Sequence, residues 1–326
     1  MKKKNKAIYL LFLMPFVYFA TACFVVWLVK TSGIYPSGSD TMYHVYRGDY
    51  VYNAIKSGNW YPLYDPAWYN GVEILRYWSP FPAYVMAFCQ YLAGGSQFGA
   101  YLFYIGGVCF LGACVWPFIG RGFNRPYLGA FIGLLWFFIP NNLCAIFIEG
   151  NLARSLSMIF LPVFIYSVYK YLYNHKLRYI PLMVFTFLLM ELCHLGYAGM
   201  VAIAVIIYGI VYIIQKGRKK AVLDVVISMI FGFMLLGIWL VASLRGGITS
   251  LDNSENMANF FQNLWITINP FERLTRGFEY FYFGFATLVV IVFGILFGYK
   301  KSRTGFVTGF IILLMTTKSA YAVLKH

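Results

Sequence analysis

Asp40, His44, Arg47, Asp49, Asp65 and Glu73 fall in one polar, aromatic-rich stretch, Ser37 to Pro82, of a chain with only eleven carboxylates. Carboxylates beside a histidine and an arginine suit proton transfer from a hydroxyl and the holding of an anionic group. After Pro36, Ser-Gly-Ser-Asp starts a helix on which Asp40, His44 and Arg47 recur at three- and four-residue steps, with Tyr43, Tyr46, Tyr50 and Ala54 on a neighbouring face. The spacing predicts a short helix in the membrane plane, its aromatic side among the headgroups and its polar side toward a cavity. Asp40 has a plainer alternative as the N-cap of that helix. Trp60 and Trp78, surrounded by polar and turn residues, are candidate stacking surfaces for sugar rings; anchoring at the membrane boundary is the alternative for these and for Trp68.

Two further turns carry candidate groups. Glu149 stands just before Arg154, with Asn141 and Asn142 ahead of it, either as a second functional acid or as half of a surface ion pair. Glu191 and His194, three residues apart, are placed to share a helix face as substrate-binding groups. Arg154, Arg245 and Arg276 are candidate partners for an anionic ligand, since a guanidinium holds a phosphate through two parallel hydrogen bonds.

The elements that must position these residues are apolar helices. The chain of 326 residues is 61% hydrophobic and 11% charged, which defines a polytopic all-α membrane protein. Apolar runs at 7–29, 98–120, 127–148, 153–172, 178–193, 196–215, 221–244, 277–298 and 304–322 predict about nine spans. The piece from Phe81 to Gly95, about fifteen residues, is too short to cross. The net charge of +15 comes from short basic clusters between the runs, which excludes a nucleic-acid-binding surface and marks cytoplasmic loops. With Lys2, Lys3, Lys4 and Lys6 inside the cell, the first run is a signal anchor in the plasma membrane. Asp40, Glu149 and Glu191 then face outward and Arg121 inward. Two outer loops are long, 31–80 and 245–276, within a single domain. The six cysteines form no CxxC pair and read as small apolar residues.

A basic N-terminus, one span and an outer loop with an early Asp, followed by Tyr77-Trp78-Ser79-Pro80-Phe81-Pro82-Ala83-Tyr84 and Gly94-Gly95-Ser96-Gln97-Phe98, resembles the GT-C superfamily of polyprenyl-phosphate-sugar glycosyltransferases. More narrowly, residues 1 to about 215 resemble the bacterial membrane proteins called 6-pyruvoyl-tetrahydropterin synthase-related. The superfamily resemblance implies catalytic roles for Asp40 and Glu149, and a divalent cation held by the same two acids. The turn at Glu149 carries one acid where the superfamily has a pair, which weakens the case for a metal. The zinc site of soluble pterin synthases cannot be assembled from His44, His175, His194 and His326, which are scattered. Many GT-C relatives continue into a large outer domain; a chain stopping at His326 is either a minimal core or truncated.

Three functions are open at this stage. A glycosyltransferase would take a sugar from a polyprenyl phosphate on the outer face, by inverting hexosyl or pentosyl transfer, with membrane lipid and the lipid-linked sugar as partners. A transporter or flippase for a lipid-linked or amphipathic solute would use the same aromatics, although no charge lies mid-span. The third is a catalytically silent scaffold.

Overall fold

The computed structural model describes residues 2–36, 38–68, 70–245 and 285–315. The second long loop expected at 245–276, with Arg276, and the end of the last apolar run lie outside the described residues. Their regular secondary structure is helical, apart from one isolated antiparallel bridge between Asp65 and Val72 in the first loop. The helices are α1 (Lys2–Ser32), α2 (Thr41–Lys56), α3 (Phe81–Leu92), α4 (Gln97–Gly122), α5 (Pro126–Trp136), α6 (Pro140–Leu143), α7 (Leu152–Asn174), α8 (Tyr179–Cys193), α9 (Leu195–Lys216), α10 (Lys219–Leu235), α11 (Gly237–Arg245) and α12 (Phe285–Met315). A π-helical turn, Cys144–Ile148, follows α6.

Among the described residues, five helices or helix runs are long and apolar enough to cross a membrane, and a sixth if the bent pair α10–α11 counts as one span. The run expected to span 178–193 forms the shorter α8. The pair 277–298 and 304–322 meets in α12, which breaks at Ser302 (φ −123°, ψ 29°). There the helix turns back on itself: a Cβ on Gly294 would lie 3.3 Å from the ring of Phe306, positions that a straight helix would hold about 18 Å apart. Helix α3, twelve residues long, extends about 18 Å, too little for a hydrocarbon core of about 30 Å.

The chain divides into two compact units. The first comprises Met1–Phe138, Asn142–Gly199 and Ile227–Ile248; the second comprises Ile139–Asn141, Met200–Val226 and Thr249–His326. In the second, Thr304 on α12 donates its hydroxyl to Gln215 at the end of α9 (2.7 Å). In the first, α4 is the central helix, packed by α1, α3, α5 and α7. Its start is capped by Ser96, whose hydroxyl accepts from Gly99 N at 3.0 Å. Two buried tyrosines tie the bundle through main-chain carbonyls: Tyr18 to Ala130 (2.8 Å) and Tyr104 to Leu152 (2.9 Å).

Helices α4 and α5 approach until their backbones nearly touch. A Cβ on Gly120 would lie 2.7 Å from Gly129 Cα, and one on Gly129 would lie 2.8 Å from Gly120 Cα, the small-residue contact by which helices associate in lipid. Gly129→Val should therefore lower the thermal midpoint of the detergent-solubilised protein, with a cost of about 1–3 kcal/mol; an unchanged midpoint would show that the pair is not closely packed.

Candidate functional site

The two acids singled out in the sequence come together through their backbones. Asp40 N donates to Glu149 O (3.0 Å), and the Ser39 hydroxyl donates to the same carbonyl (3.0 Å). Glycines make the approach possible: a Cβ on Gly38 would lie 2.6 Å from Gly150 Cα, and one on Gly150 would lie 2.6 Å from Thr41 N. Gly150 also holds φ +66°, a left-handed value that other residues adopt at a cost. Glu149 itself is delivered by the π-helical turn, where its N–H reaches back to Cys144 O (2.8 Å), a wide turn common at functional positions.

Three of the four acids of the first loop are engaged in structure. Asp65 pairs with Val72 through two main-chain bonds of 2.9 Å, caps the turn at Ala67 N (2.9 Å) and accepts from Tyr46 OH (2.6 Å). That bond pushes the Tyr46 phenol up to about 12. Asp49 accepts from Gln90 (2.6 Å), and Glu73 pairs with Arg76. Asp40 alone remains uncommitted. It occupies the N-cap position of α2, yet its carboxylate makes no capping bond, and its one neighbouring donor, Ser39 Oγ at 3.1 Å, has a single hydrogen for which Glu149 O competes.

Asp40 lines a cavity of about 550 Å³ in the first unit. His44 and Arg47 enter it from α2, Trp68 and Trp78 from the loop, Asn151 and His194 from the ends of α7 and α8, and Trp239 from α11. The loop rests on its own small core of Val51, Ile74, Leu75, Ala83 and Ala87. Two side-chain bonds strap it to α11: Trp239 Nε1 to Leu75 O (2.8 Å) and Arg76 Nε to Ala242 O (2.9 Å).

Several expectations need correction. The tyrosines of α2 do not form a headgroup-facing side: Tyr46 and Tyr50 bond to Asp65 and to Tyr64 O, and Tyr43 packs edge-on against Trp68 and Trp78. The loop folds over α2 and takes up that face. Trp78 lines the cavity, whereas Trp60 is 71% exposed and does not. Glu191 and His194 share no helix face, because α8 ends at Cys193 and His194 is extended (φ −155°, ψ 96°). The break sends His194 to the cavity and leaves Glu191 buried, its Oε2 without a hydrogen bond. Arg154 bonds the Glu149 carboxylate at 2.6 Å, the ion-pair alternative for both residues. Arg245 ends α11, exposed and outside the cavity lining.

Among the described residues no group of three or more His, Cys, Asp or Glu comes together to hold a metal. Asp40 and Glu149 meet through a carbonyl, and the Glu149 carboxylate is engaged by Arg154. The residues present do not fit a bound divalent cation.

Asn151 and Trp239 were missed in the sequence. Asn151 follows Gly150 and directly precedes α7, an N-cap pattern that was legible. Trp239 sits beyond the 64° bend between α10 and α11, hidden inside an apparently continuous apolar run.

Apolar helices around a polar, aromatic-lined cavity define a helical membrane protein. A family model described as 6-pyruvoyl-tetrahydropterin synthase related domain, membrane protein, matches residues 75–326, and the chain belongs to that family. No curated protein and no solved structure matches the chain. The match begins later than the resemblance read at residues 1 to about 215 and runs to the last residue, so it takes in Trp78, Asn151 and His194 but not α2.

Burial, the Arg47 charge and His194 together hold the His44 imidazole down at about 3, against 6.5 in the open. The unfolded chain therefore binds a proton at His44 that the folded chain refuses between those values, and stability falls as pH drops below 6.5. From pH 7 to pH 5 the loss at this one group is about 2 kcal/mol. Thermal melts of wild type and His44→Gln across that range should show the variant losing less; parallel losses would place the acid sensitivity elsewhere.

Proposed function

We propose that this membrane protein is a glycosyltransferase that moves a sugar from a polyprenyl-phosphate donor to an acceptor hydroxyl on the extracytoplasmic face. The observation that carries the reading is Asp40: the one first-loop carboxylate left uncommitted, at the edge of a cavity walled by tryptophans and containing an arginine. Aromatic faces suit sugar rings, and a carboxylate suits proton abstraction.

In the proposed step the acceptor oxygen attacks the anomeric carbon while Asp40 takes its proton. The bond from that carbon to the phosphate oxygen breaks with inversion, and the phosphate leaves with the electron pair. Glu149 acts mainly through its carbonyl, as a positioning residue for Asp40, with its carboxylate held by Arg154. In this reading the N-terminus is cytoplasmic, the chain makes nine crossings, and residues 40 and 149 face outward. The basic turn of α12, Lys300 to Arg303, supports counting its two halves separately.

A transporter or flippase for a lipid-linked solute is the second reading. The 64° bend between α10 and α11 favours it, because broken helices line many transport sites.

Asp40→Asn separates the two. Since Asp40 makes no capping bond, the variant should fold and insert normally. In a lipid-linked sugar transfer assay it should lose about two to four orders of magnitude, the scale of a missing general base. Full transfer by the variant would exclude Asp40 as the base, and an absence of transfer by wild type, with solute movement in vesicles, would establish transport.

A further inference from the structure

Arg47 is the most deeply buried cation among the described residues, 1% exposed on α2. No carboxylate of the described residues pairs with it; Glu73 and Glu149 are taken by Arg76 and Arg154. Its Nη2 reaches only the carbonyls of Trp78 (3.3 Å) and Ser79 (3.5 Å), and its Nε has no acceptor. The rings of Tyr43 and Trp78 lie 5.4 and 5.8 Å from its guanidinium carbon and soften the burial without supplying a countercharge. A buried charge without a partner is costly to fold around, and the cavity is where one can enter.

Asn151 and His194 lead to the same conclusion independently. The Asn151 Oδ1 accepts from Arg154 N (2.9 Å), which fixes its Nδ2 as the donor end. The His194 Nδ1 accepts from Tyr197 N (3.0 Å), so in the neutral ring Nε2 carries the hydrogen. These two donors, Asn151 Nδ2 and His194 Nε2, face each other at 3.4 Å in the cavity lining. Neither can accept from the other. Two converging donors need an acceptor oxygen beside them.

We propose that the cavity is a receptor for a phosphate oxyanion, with Arg47 as its countercharge and Asn151 and His194 as paired donors to its oxygens. The ligand class is a phosphate or phosphate monoester, free or at the head of a lipid. This deepens the reading of the cavity as a lipid-phosphate substrate site and, among the described residues, moves the anion-binding role from Arg154 and Arg245 to Arg47.

The test uses the full chain in detergent, titrated separately with inorganic phosphate, farnesyl phosphate and farnesol, and followed by the fluorescence of the cavity tryptophans. Farnesyl phosphate should bind at least tenfold tighter than farnesol. Saturable binding of inorganic phosphate, or its competition with farnesyl phosphate, would identify a free anion as sufficient; binding of farnesyl phosphate alone would identify the lipid headgroup. Arg47→Met should weaken phosphate binding at least tenfold while the ligand-free thermal midpoint holds or rises, because an uncompensated charge has been removed. Asn151→Asp, which removes one donor and adds a repelling charge while keeping the oxygen that accepts from Arg154 N, carries the same tenfold expectation. Equal binding of farnesol and farnesyl phosphate overturns the proposal, as does unchanged phosphate binding in either variant. A fall in the ligand-free midpoint of Arg47→Met overturns it too, since a structural clamp on the carbonyls of Trp78 and Ser79 would predict that fall. If Arg47→Met loses phosphate binding while Asp40→Asn keeps transfer, the receptor stands and the assignment of Asp40 fails; the reverse pattern fails the receptor alone.

Discussion

One hydrogen bond, from Asp40 N to Glu149 O, joins the start of α2 to the turn before α7 across more than a hundred residues of chain. It forms only because Gly38 and Gly150 bring no side chains to the contact. That junction fixes the wall of the cavity that α2 supplies. With α2 docked there, His44 and Arg47 turn inward beside Asn151, the loop closes over the remaining face of α2, and Trp78 arrives against the guanidinium. A helix capped in the ordinary way would hold its first carboxylate against its own N–H groups. Here the main chain of another segment anchors the entry to the helix, and the carboxylate is left out of the capping.

The polar groups of the loop divide by what they bond to. Asp49, Asp65 and Glu73 meet donors supplied by the protein and behave as structural groups. Asp40, Arg47, Asn151 and His194 have bonding capacity left over, and all four line one cavity. A folded chain does not ordinarily leave polar capacity unfilled in a buried place. Four such groups facing one cavity, where a ligand can reach them, are the physical basis for reading that site as functional; Glu191, also short of a partner, lies outside the cavity lining.

Much of this was legible in the sequence, and the failures have particular causes. The helical class and the short α3 follow from hydropathy and length, and the spacing of His44 and Arg47 places them on the inner face of α2. Glu149 was found because acids are rare in this chain. Where the reading failed, a backbone irregularity had broken the period on which it relied. The break after Cys193 separates Glu191 from His194, and the bend at Leu236 turns Trp239 into the cavity. In the sequence Arg154 and Arg245 stood out for an anionic ligand, while Arg47 was one polar group of the first-loop helix. Their partners distinguish them: Arg154 has a carboxylate, Arg245 has solvent, and Arg47 has only carbonyls and rings.

The straps between the loop and α11 run in one chemical sense. Trp239 and Arg76 supply side-chain donors, while Leu75 and Ala242 answer with main-chain carbonyls. Any residue offers a carbonyl, so substitution at Leu75 or Ala242 is judged by size and packing alone. Substitution at Trp239 or Arg76 removes the tie itself. Tolerance to change across this seam is therefore lopsided, and a homologue could exchange both acceptor residues and still keep its cavity roofed.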